Sequence, residues 1–76
     1  MRIQEAASIL KHRYENAADG RKVTAIHVFA IEFAGKIRTM SMRELAILAR
    51  ISPTYGTELN KGVNLAEFVV LRSPGN

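Results

Sequence analysis

The chain has 76 residues, a formal charge of +4 and no cysteine. A domain of this size buries only about 60% of its unfolded surface, which excludes a multi-domain enzyme and argues against a deep catalytic cleft. Without cysteine no disulfide or cysteine-ligated zinc can staple the fold, and a hydrophobic content of 47% against 24% charged residues excludes a disordered chain.

The first segment, about Ile3 to Ala18, places Ile3, Ala7, Leu10, Tyr14 and Ala17 at spacings of three and four. That is one apolar stripe on a helix, with Lys11 and Glu15 paired on the opposite face and Asp19-Gly20 as the stop. The second segment, Thr24 to Ile37, opens on Thr24 as N-cap and is apolar on nearly every side. Such a helix is buried on most sides, so it is expected to be the central helix or a dimer interface. A strand pair is the competing reading. Ala30, Ala34 and the length of the segment favour the helix.

The third segment starts at Ser41-Met42-Arg43-Glu44, a capping-box pattern, and its helix is expected to end near Arg50. The fourth starts at Ser52-Pro53, an N-cap followed by a proline that needs no N–H in the first turn, and is expected to end at Gly62. Tyr55 and Leu59 share its inward face. Two short capped helices separated by Arg50 to Ser52 form the layout of a helix-turn-helix. From Val63 to Leu71 the pattern reads as a short helix entering an extended segment, with a strand as the alternative. Residues 73–76 read as a loose tail after one domain over 1–72. The expected fold is mainly α, with four to five helices.

No apolar run reaches the roughly 20 residues of a transmembrane helix. The longest, Thr24 to Ala34, is broken by His27 and Glu32. The charged N-terminus lacks the apolar centre of a signal peptide, so the expected location is cytoplasmic.

The stretch MSMRELAILARISPTYGTELNKG carries the most specific pattern. Leu45-Ala46, Leu48, Ile51-Ser52, Pro53-Thr54-Tyr55, Leu59 and Lys61-Gly62 stand in the order and spacing of a known motif. The stretch resembles the helix-turn-helix of Cro and phage-repressor type regulators, also called xenobiotic-response-element type. The whole chain is similar to small bacterial proteins described as helix-turn-helix-like. Two positions depart from the motif. Arg50 stands where a glycine is usual in the turn, and Gly56 stands where Leu or Val usually packs the second helix on the first.

The resemblance implies a DNA-binding protein, a small transcriptional regulator acting as a dimer on double-stranded DNA. With Tyr55 and Leu59 inward, the outward residues are Thr54, Thr57, Glu58 and Lys61. Thr bonds to bases or phosphates, Glu accepts from a cytosine amino group, and Lys meets guanine or phosphate. The helix start at Ser52 to Thr54 is expected to offer free N–H groups to a phosphate, with Arg43 and Arg50 as backbone anchors. Between Lys36 and Lys61, five basic and two acidic residues hold three of the four net positive charges.

Other residues point to no chemistry. His12 and His27 have no cysteine or carboxylate cluster around them, so no metal is expected, and His27 is expected to bond a backbone carbonyl or water. No nucleophile triad, phosphate loop or HExxH motif is present, so neither an enzyme nor a cofactor is expected. Phe29, Phe33 and Phe68 read as core residues. The alternative function is a protein-interaction module on the same scaffold, such as a phage or accessory protein, which Gly56 and Glu58 favour. RNA binding is a third reading.

Overall fold

The computed structural model describes residues 1–72, so the expected loose tail at 73–76 lies outside the described residues. Four helices follow one another: α1 (Ile3–Asn16), α2 (Lys22–Ile37), α3 (Met42–Leu48) and α4 (Gly56–Leu65), with a 3-10 turn at Pro53–Tyr55 leading into α4. No strand occurs among the described residues, so the fold is all-α and the strand alternatives for α2 and the C-terminal segment fall.

The α1 stripe folds as its spacing predicts. Ala7 and Leu10 are buried, with Ile3 and Tyr14 packed against the core. The helix stops at Asn16, two residues short of the expected Ala18, because the extended Ala17 caps it. The Lys22 ammonium then donates to the Tyr14 carbonyl at 2.9 Å and the Ala17 carbonyl at 3.3 Å, which satisfies carbonyls the helix end leaves open. Gly20 turns the chain at φ +84°. The expected Lys11–Glu15 pair does not form among the described residues. Instead the Arg13 fork reaches across to Glu32 on α2 at 2.9 and 3.1 Å.

Helix α2 begins at Lys22 with Arg21 at the cap, so Thr24 is an exposed first-turn residue and not the N-cap. It is the central helix of the fold, but it is not buried on most sides, since Val23 and Val28 are exposed. Ile26, Phe29, Ala30, Ala34 and Ile37 are buried, and α2 packs against both α1 and α4, with α4 as its most extensive neighbour. Phe29, Leu10, Ile26, Ile37, Leu45 and Leu59 are the largest fully buried side chains. Each contributes about 1.5–3 kcal/mol by leaving water.

Gly62 does not end α4, contrary to the sequence expectation. The helix runs through it to Leu65, and Gly62 is buried. A methyl group there would overlap the Ala30 Cβ and sit 2.9 Å from the His27 carbonyl oxygen. Glycine is therefore used here for close helix approach, and packing overrides its poor helix propensity. The C-terminal segment gives a further correction. Phe68, expected in the core, is 81% exposed, in the turn that follows α4.

Candidate nucleic-acid interface

The unit from α3 to α4 is built by local chemistry. The Ser41 hydroxyl accepts from the Glu44 N–H at 3.1 Å, the cap the sequence predicts. Helix α3 closes two residues before Arg50. The Arg50 N–H donates to the Ile47 carbonyl at 3.0 Å and the Ile51 N–H to the Ala46 carbonyl at 3.1 Å. These paired bonds are those of a Schellman closure, whose left-handed residue is Arg50 at φ 62°. Arg50 thus adopts the conformation that a turn glycine would supply, at about 1 kcal/mol of steric cost. Ile51, the next residue, is buried and anchors the turn to the core.

Gly56 explains the second departure from the motif. A Cβ there would lie 3.1 Å from the Arg43 nitrogen and 3.2 Å from its Cα. The start of α4 therefore lies directly on the start of α3, where a Leu or Val would hold the two apart. On the inward face of α4, Leu59 is fully buried and Val63 nearly so. Tyr55 is half-buried against Tyr14, ring centroids 5.9 Å apart. That neighbour is the main cause raising the Tyr55 hydroxyl above the ordinary tyrosine pKa.

The predicted contact residues fall into three groups. Arg43 and Arg50 are exposed and form no side-chain ion pair among the described residues. Thr57 and Lys61 are exposed one turn apart on the outward face of α4. Ser52 and Thr54 are exposed but engaged with each other, the hydroxyls 2.7 Å apart and the Thr54 N–H donating to the Ser52 hydroxyl at 3.3 Å. The Tyr55 N–H is likewise taken, by the Ser52 carbonyl at 2.9 Å. Of the N–H groups expected at Ser52 to Thr54, that of Thr54 is therefore used inside the turn and Pro53 has none.

Glu58 is placed differently from the expectation. Its carboxylate is half-buried between helices, one oxygen 2.8 Å from His27 Nε2 and the other 3.0 Å from the Lys61 ammonium. Those hydrogen bonds, Lys61 first and His27 second, hold its pKa below the ordinary glutamate value. Glu58 thus ties α4 to α2 and steadies Lys61, with neither oxygen left unpartnered. The same pair corrects the reading of His27, whose partner is this carboxylate and not a backbone carbonyl or water.

Two outward residues were missed. Asn60 and Asn64 are exposed beside Thr57 and Lys61. Asn60 lies three residues after Thr57 and was legible from helical spacing. Asn64 lies beyond Gly62, where the sequence pattern ends the helix, and joins the face only because α4 continues to Leu65. An asparagine amide has the donor and acceptor to pair bidentately with adenine.

Residues 2–72 match the family described as an HTH-like domain, and the chain belongs to that family. No curated protein and no solved structure matches it. Family membership suggests a DNA-binding regulator in general terms. Among the described residues, no helix is long and apolar enough to cross a membrane.

Proposed function

We propose that this protein is a sequence-selective DNA-binding protein, a small cytoplasmic transcriptional regulator of the Cro and phage-repressor kind that acts as a dimer. The observation that carries the reading is Arg50. Arg50 takes the left-handed turn between α3 and α4 where a glycine would be unstrained, and it is an exposed cation within the helix-turn-helix. Thr57, Asn60, Lys61 and Asn64 form the outward face of α4, and Arg43 with Arg50 would hold the phosphates.

The test is a mobility-shift titration with duplex DNA. Three to five phosphate contacts give a slope of about −3 to −4.5 in log affinity against log salt. Changing Thr57→Glu together with Lys61→Gln should abolish the shift while circular dichroism still reports a folded helical protein. Absence of any shift at low salt would defeat the reading. A protein-interaction role is the second reading, and the exposed Leu65 and Phe68 beside Lys61 favour it.

A further inference from the structure

The close approach of α2 and α4 brings a titratable side chain of α2 up to the outward face of α4. A methyl group at Gly62 would sit 2.9 Å from the His27 carbonyl oxygen and 3.4 Å from its Cα, so the bare glycine lets the His27 backbone lie against α4. Glu58 stands one turn before Gly62 and meets the His27 ring, one carboxylate oxygen 2.8 Å from Nε2. The other oxygen is 3.0 Å from the Lys61 ammonium, and the Lys61 side chain is 59% exposed. His27 and Lys61 thus hold the two oxygens of one carboxylate. They stand within about 8 Å of each other, the screening length at physiological salt.

We infer that His27 sets how much of the Lys61 charge a duplex meets, through the protonation of its ring, a role that rests on the DNA-binding reading. While the ring is neutral, the Glu58 carboxylate cancels the Lys61 charge. Once the ring is protonated, two cations share that carboxylate and a net positive charge faces the phosphates. His27 is a positioning residue here, acting on DNA through Glu58 and Lys61. Histidine is the side chain whose charge ordinarily changes between pH 5 and 8. Glu58 stays ionised over that range, because Lys61 first and His27 second lower its pKa.

The other charged groups around α2 are engaged elsewhere. From α1, Arg13 is bound to Glu32, and the Tyr14 ring lies under the Lys22 ammonium at 4.9 Å. At the start of α4, the Tyr55 hydroxyl, raised in pKa by Tyr14 and more weakly by the Glu58 charge, stays protonated. The second histidine, His12, is exposed on α1 beside Asn16. It serves as the control.

The test follows DNA affinity with pH. One further counterion released adds about 0.9 to the salt slope, which is about eightfold in affinity at 0.1 M salt. Anisotropy of a labelled duplex should therefore show wild type binding about three- to eightfold more tightly near pH 5.5 than near pH 8. His27→Gln keeps a donor for Glu58 but takes no charge, so it should bind alike at both pH values, with an unchanged circular dichroism spectrum. His12→Gln should keep the acid gain. Glu58→Gln leaves the Lys61 charge uncancelled and should bind at the higher pH as tightly as wild type does at the lower. Should His27→Gln prove unfolded, that last comparison decides alone. A wild type with equal affinity at both pH values, a folded His27→Gln that retains the acid gain, or a Glu58→Gln no tighter than wild type at the higher pH overturns the inference. Failure of the DNA reading looks different: no duplex binds at either pH, and the inference falls with it.

Discussion

Helix α4 has two faces with opposite tolerances. Inside, Gly56, Leu59, Gly62 and Val63 meet other helices at van der Waals contact. Outside, Thr57, Asn60, Lys61 and Asn64 are exposed, with Lys61 paired to Glu58. Ten residues thus carry both the seam that holds the domain and the surface proposed to read DNA. The outer face can vary without loss of fold only because the inner face fixes the helix so closely. Gly35 on α2 gives the contrast in one residue type. It is exposed, helical, and a methyl group there would touch nothing within 4 Å.

The largest effect is expected on the inner face. Gly62→Ala forces α2 and α4 apart against Ala30 and the His27 carbonyl, at a cost of about 1–3 kcal/mol. For a chain of this size each kcal/mol lowers the midpoint by about 4–8 °C in thermal denaturation. The same substitution at Gly35 should instead stabilise by about 1 kcal/mol through helix propensity. If both alanines shift the midpoint in the same direction, the claimed difference between a seam and an open face is wrong.

The turn comes next. Arg50→Gly removes the left-handed strain and should stabilise by about 0.5–1 kcal/mol. On the DNA reading it should also flatten the salt slope by about 0.9 for the lost phosphate contact. A variant that gains stability and keeps the full slope would leave Arg50 without the role proposed for it.

The smallest effect concerns the one carboxylate between the two faces. Because the folded state lowers the Glu58 pKa, its contribution is fully present above the ordinary glutamate pKa. It is lost as the pH falls through the lowered folded value. Urea midpoints measured from neutral to acid pH should therefore fall less steeply for Glu58→Gln than for wild type. Identical profiles would mean that the His27–Glu58–Lys61 contacts contribute nothing to stability.

Local chemistry made the helices legible. The Ser41 cap, the Ser52-Pro53 start and the inward Leu59 all stand where side-chain type and spacing place them. Each depends on neighbours within one turn, and such interactions are written in the sequence itself. The candidate face was partly legible for the same reason: Thr57 and Lys61 follow from the period of α4 once Leu59 is inward. Asn64 and the pairing of Glu58 were not, because both depend on what lies across the seam.

By itself, then, the sequence determined a cysteine-free helical domain with a helix-turn-helix near its middle and a modest basic excess around it. Only the tertiary structure decided which glycine was a stop and which a contact. It carried α4 through Gly62, because Ala30 and His27 leave room for no side chain there. It gave Arg50 the left-handed turn and turned Glu58 toward His27. It left Phe68 outside a core that α2 had already filled. Periodicity records which way a side chain points along its own helix. What meets it there is set by the helix that packs against it.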